Sequence, residues 1–165
     1  MQAKTELVGE MVRTHLSTFL WFDKEAGDAA KYYTSVFKNS KIKNSTTLHN
    51  TPSGTVETFD VELLGQDFTF MSAGPLFKFN ESISFVVHCN SQREIDYYWE
   101  KLSAEPKAEQ CGWLKDKYGV SWQIVPTDLG KMLRDKDQRK VRRVTEAFLE
   151  MKKLDIATLK KAYEG

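Results

Sequence analysis

The chain has 165 residues, enough for one ordinary domain with a real core. Its 41% hydrophobic and 12% aromatic content excludes a disordered polymer. A net charge of +1 supplies no global field for nucleic acid or a membrane surface, so neither is expected as a partner. Two cysteines, Cys89 and Cys111, are too few for a secreted disulfide scaffold and favour a cytoplasmic protein. Residues 1–13 contain Glu6 and Glu10 and no long apolar core, so they read as an arm and not a signal peptide. No stretch approaches the roughly 20 apolar residues of a membrane span.

In chain order, residues 14–23 predict a strand. Leu16, Leu20 and Phe22 lie on one side and Phe19 and Trp21 on the other, so cover is expected on both faces. Residues 28–37 predict a helix with an apolar stripe of Ala29, Tyr33 and Val36/Phe37. Three strands follow, over 41–49, 55–64 and 67–73. Pro52-Ser53-Gly54 turns the first pair, and Gly65-Gln66 is expected as a two-residue hairpin turn. Phe59, Val61 and Leu63 alternate with Thr58, Asp60 and Glu62, a half-buried pattern.

The order then repeats. Residues 82–90 predict a strand, with Ile83, Phe85, Val87 and Cys89 on one side. Ser91 and Glu94 have the spacing of a capping box, opening a helix that carries Ile95, Tyr98/Trp99 and Leu102. Residues 111–126, CGWLKDKYGVSWQIVP, read as strand, tight turn over 116–119, and a β-branched and aromatic strand. The plan is β-α-β-β-β twice, the second copy abbreviated near 104–110. Residues 17–23, STFLWFD, align with 84–90, SFVVHCN. Halves that cannot each bury a sheet face must pair, within one chain or between two.

After Pro126 the spacing predicts helices over 129–133, 140–153 and 155–163. Val141, Val144, Phe148 and Met151 form one stripe, and Ile156, Leu159 and Tyr163 another. From residue 131 onward there are 11 Lys/Arg against 6 Asp/Glu, without the aromatic interleaving of a nucleic-acid surface. A solvated helical face is the simpler reading, with docking of a protein partner as the other. There is no glycine-rich phosphate loop, Gly-x-Ser-x-Gly elbow, His-Glu-x-x-His or Cys-x-x-Cys pair.

The repeated plan resembles the vicinal oxygen chelate superfamily of glyoxalases, bleomycin-resistance proteins and extradiol dioxygenases. Residues 32–37 (YYTSVF), 96–102 (DYYWEKL), 111–126 and 148–156 (FLEMKKLDI) resemble its PhnB-like branch, which bears a demethylubiquinone methyltransferase label. The resemblance covers residues 14–156. It implies an α+β fold in which two β-α-β-β-β modules form a cupped, mostly antiparallel sheet, usually in a homodimer. The implied layout is an arm (1–13), a glyoxalase-like domain (14–127, modules 14–74 and 82–127) and a C-terminal helical extension (128–165). The label is not carried over as an activity. An S-adenosylmethionine methyltransferase normally needs a Rossmann-like unit with a glycine turn, and none is present.

Metal-using members of the superfamily take ligands from the first and last strands of each module. Those places hold Ser17, Ser84 and Gln123 here, with the fourth near Met71 and Ser72. Hydroxyls and an amide are poor ligands for transition metals, so no metal site and no cofactor are expected, although a divalent ion is left open. His15 and His88 share strand faces with Ser17 and Ser84; a hydrogen-bonded or surface role is the simpler reading of each and a place on the cavity rim the other, and with Asp60 they are the unorthodox ligands on offer. His49 reads as a surface residue. Cys111 has no base positioned by sequence. Lys115 and Asp116 read as turn residues, Asp116 bonding nearby backbone.

The expected function is binding of a small apolar or aromatic molecule, with a superfamily enzyme (lyase, isomerase, dioxygenase or group transfer) as the alternative. Candidate pocket residues are Ser17, Phe19, Trp21, Ser84, Val86, His88, Trp113 and Gln123.

Overall fold

Alternation of apolar and polar side chains builds the first sheet of the computed structural model, which describes residues 14–165. The arm expected over 1–13 lies outside them. β1 (Thr18–Phe22), β2 (Lys41–Thr51), β3 (Gly54–Leu63) and β4 (Gln66–Ser72) pair in the order β1-β4-β3-β2. β1 is parallel to β4, and the other pairs are antiparallel. Leu20, Phe22, Val61, Leu63, Phe68 and Phe70 share the buried face. Helix α1 (Ala26–Val36) covers it with Ala26, Ala29, Ala30 and Tyr33.

The second sheet repeats this plan with one strand fewer. β5 (Phe85–Cys89), β6 (Trp113–Lys115) and β7 (Ser121–Pro126) pair in the order β5-β7-β6, with β5 parallel to β7. Helix α2 (Gln92–Leu102) buries Ile95 and Leu102. Ser91 accepts from the Glu94 amide at 3.3 Å, and the Glu94 carboxylate accepts from the Asn90 amide at 2.7 Å. A 3-10 turn, Pro106–Ala108, occupies the place of a strand like β2. Proline has no N–H to give a ladder, so this copy is β-α-β-β, abbreviated within 104–110 as the sequence implies. The helix-covered faces of both sheets merge into one core.

Four expectations are corrected. The first strand begins at Thr18, not residue 14: Leu16 is 97% exposed and residues 14–17 have no strand geometry. Only its Leu20/Phe22 side is covered, since Phe19 is 56% exposed. The repeat's first strand is likewise shorter, and Ile83 stands outside it, exposed. The β3–β4 hairpin turns on Leu64-Gly65, one residue earlier than expected. Leu63 pairs Gln66, and both turn residues have positive φ (50° and 81°), the geometry of a type I′ turn that suits strand twist.

α3 (Leu129–Met132), α4 (Gln138–Leu149) and α5 (Ile156–Glu164) close the chain. Their stripes face inward: Val144, Leu154 and Leu159 form a second cluster with Leu129, Met132 and Phe148. α4 ends at Leu149, short of the expected 153, because the next carbonyls bond elsewhere. Those of Met151 and Lys152 accept from the amides of Cys111 and Gly112 at 2.8 and 2.7 Å. Gln92 adds bonds to the Leu154 carbonyl and the Ile156 amide. Among the described residues no helix is long and apolar enough to cross a membrane.

Gly112 holds this junction. Its φ is +87°, and an added Cβ would stand 3.0 Å from the Ile124 carbonyl oxygen and 3.1 Å from Leu154 Cδ1. Gly112→Ala is therefore expected to lower stability by about 2 kcal/mol, read by urea denaturation. An unchanged midpoint would show that the junction tolerates a side chain.

Candidate functional site

The site is framed by a buried carboxylate. Asp116, at the β6–β7 turn, is 4% exposed. Its Oδ1 accepts from the amides of Tyr118 and Val120 at 2.8 and 3.1 Å. Its Oδ2 accepts from Tyr33 Oη at 2.6 Å and Trp122 Nε1 at 2.7 Å. The turn-fixing role read from the sequence is present, and Tyr33 adds a bond from α1 that sequence reasoning missed. Burial pushes this carboxyl above the ordinary range, and the four donors oppose that rise. Burial, then the Asp116 charge, raises the Tyr33 hydroxyl well above its usual value.

Aromatic packing continues from this hub. Trp122 packs on Tyr33, Phe37 and Phe85, with ring centroids 5.2–5.5 Å apart. The opposite face of the second sheet is partly covered: Val86 is 46% exposed, while Ser121 is buried and Val125 packs on the C-terminal helices. There Val86, Gln123 and Trp113 stand side by side across three strands. Gln123 Nε2 donates to Ser84 Oγ at 2.9 Å. Ser84, Val86 and His88 border a hollow of about 410 Å³ at β5, completed by Phe37, Phe68 and Trp122.

The remaining candidates lie on the first sheet. Ser17 is exposed, ahead of β1, and no bond joins it to Ser84 or Gln123. Phe19 and Trp21 border a second hollow, of about 290 Å³, with Phe77, Phe79 and Ile83. Trp21 Nε1 donates to the Gly74 carbonyl at 2.8 Å, and its ring meets Phe77 edge-on at 5.1 Å. The eight candidates thus fall into two groups. Phe77 and Phe79 escaped sequence reasoning; their alternation in LFKF (76–79) was the available signal.

The residues at the superfamily's ligand places do not suit a transition metal. Ser84 and Gln123 bond each other. Ser72 Oγ accepts from the Ala26 amide at 3.0 Å, holding the start of α1. Asp60 accepts from Thr69 Oγ1 at 3.1 Å. His88 is exposed, and His49 meets Thr55 Oγ1 at 3.2 Å by the β2–β3 turn. Among the described residues no three His, Cys, Asp or Glu side chains group to hold a metal ion. Burial pushes the Cys89 thiol up to about 12, so it is not a nucleophile at neutral pH. Cys111 has φ +52° and serves the tail junction through its amide.

Residues 14–125 match the 3-demethylubiquinone-9 3-methyltransferase family. The chain belongs to this family. It is 30% identical to a PhnB protein of Bacillus cereus that bears the same methyltransferase designation; the match covers 68% of this chain and 99% of that one, with a TM-score of 0.57. The genomically encoded fosfomycin resistance protein FosX of Listeria monocytogenes is 15% identical over 69% of this chain and 93% of its own, with a TM-score of 0.48. No curated protein matches. The PhnB-like family lies within the glyoxalase/vicinal oxygen chelate superfamily, and the β-α-β-β-β order of the first half and the β-α-β-β order of the second accord with it.

Asp116 makes a measurable prediction. Asp116→Asn should cost about 1–3 kcal/mol at pH 7, because it replaces a four-fold acceptor oxygen pair. The folded-state pKa of Asp116 is raised, so protonation favours the fold. The wild type gains this contribution as pH falls through the folded pKa towards 3.8. The stability gap between wild type and Asp116→Asn should therefore widen from pH 7 to pH 4. A gap that narrows would mean that the four donors outweigh burial.

Proposed function

We propose that this chain is a PhnB-like glyoxalase-fold protein that binds a small apolar or aromatic molecule, and that it acts without a metal at the superfamily's ligand places. The observation that carries this reading is the Ser84–Gln123 bond. Two ligand places satisfy each other as hydroxyl and amide, and Ser84 borders a hollow with Phe37, Phe68, Phe85 and Trp122 in its wall. A neutral donor set of this kind gives a divalent ion little, and a planar apolar ligand much.

A panel of planar aromatic compounds should raise the melting temperature saturably. Failure of every member would remove the reading, and turnover of any member would favour the superfamily-enzyme alternative. Gln123→Glu supplies the missing carboxylate alone. With serines at positions 17 and 84, added manganese, zinc or nickel should leave its melting temperature unchanged. A metal-dependent rise in the variant or the wild type would contradict the account.

A second copy of the chain is the expected partner. β1 bonds only β4 and β5 bonds only β7, so each leaves one strand edge unpaired among the described residues. Free edges invite pairing. Light scattering should return twice the 19.0 kDa chain mass. A monomer at micromolar concentration would contradict the proposed assembly.

A further inference from the structure

Ser121 begins β7, 2% exposed, and its hydroxyl is the one buried side-chain oxygen or nitrogen among the described residues without a hydrogen-bond partner. A buried unpaired hydroxyl is costly, and folded proteins contain few of them. Neighbouring polar groups are already engaged. Gln123 bonds Ser84, and Lys115, opposite Ser121 in the ladder, pairs with Glu81.

Ser121 lines the hollow of about 290 Å³ that also holds Phe19, Trp21, Phe77, Phe79 and Ile83. Two polar atoms of its wall are already engaged. Trp21 Nε1 is given to Gly74, and Asn80 Oδ1 accepts from the Ser82 amide at 3.0 Å and from the Ser82 hydroxyl. Lys78 also borders the hollow and has no ion pair among the described residues. The wall is therefore largely aromatic, with Ser121, whose buried hydroxyl is unmet, among its residues and one ammonium beside it.

From this we propose that the hollow between β1, residues 77–83 and the start of β7 binds a one- or two-ring planar aromatic molecule whose oxygen substituent pairs with the Ser121 hydroxyl. The proposal rests on the small-molecule reading above and names its site and ligand class. Edge and face contacts from Phe19, Trp21 and Phe77 hold the ring. The hydroxyl both donates and accepts, so it meets a phenol or a carboxylate equally well. Lys78 separates these two sources, because only the anionic form gains from it.

Three probes test this by fluorescence titration of the full chain: 2-naphthol, 2-naphthoate and naphthalene. The oxygenated probes should bind about 10-fold more tightly than naphthalene, the worth of one net hydrogen bond. Ser121→Ala should abolish that preference and leave naphthalene binding intact. It should not lower the melting temperature of the free protein, since no bond within the fold is lost. Lys78→Met should weaken 2-naphthoate and spare 2-naphthol if the anion is the true class, and spare both if the phenol is. Ile83→Trp, which fills the hollow, should weaken all three probes.

Binding of the probes with no response to Ser121→Ala or Ile83→Trp would overturn this site and leave the small-molecule reading standing. Absence of binding by any aromatic compound would overturn both. A lower melting temperature for Ser121→Ala would show that the hydroxyl already has a partner, and would also overturn the proposal.

Discussion

The Asp116 carboxylate is the constraint on which this fold turns. It sits in the second half of the chain but accepts a hydrogen bond from Tyr33 in the first half. A carboxylate out of water needs its lone pairs met, and four donors at 2.6–3.1 Å meet them. The four bonds fix the β6–β7 turn, the Trp122 indole and the position of α1 against the second sheet. Trp122 then seats Phe37 and Phe85, and Phe85 meets Phe68 of the first sheet at 5.3 Å. The two half-domains are joined by this aromatic seam.

The superfamily's ligand places have been turned to structural use. Ser72 caps α1, while Ser84 and Gln123 tie β5 to β7. Ser72, Ser84 and Gln123 each complete a hydrogen bond within the protein, while Ser17 stands exposed ahead of β1. What remains chemically open is apolar surface, together with the few polar groups that border it. Binding by shape and ring contact follows more naturally from such walls than Lewis-acid chemistry does.

Much of this was legible in the sequence because it is local. The capping box at Ser91, the turn at Asp116 and the helical stripes depend on neighbours a few residues apart. Gln123 was legible through its distance from Gly119. The Tyr33–Asp116 bond was not, since 83 residues separate the partners and neither type announces the other. The exposed side of β1 was misread because alternation cannot say whether a second layer covers an apolar face. Leu64 took the turn position expected of glycine because hairpin register, set by the β3–β4 ladder, outweighed its local preference. Ser121 gave no signal at all, as an unmet hydroxyl exists only once its surroundings are folded. The basic tail read as either a solvated face or a partner's dock; its apolar stripes pack against one another and against Val125 of β7.

The central claim is that one buried carboxylate couples the two halves. A double-mutant cycle between Tyr33→Phe and Asp116→Asn, read by urea denaturation at pH 7, tests it most directly. The account predicts a coupling free energy of about 1–3 kcal/mol. Additive effects of the two substitutions would show that the halves are held together by aromatic packing alone, and would contradict it.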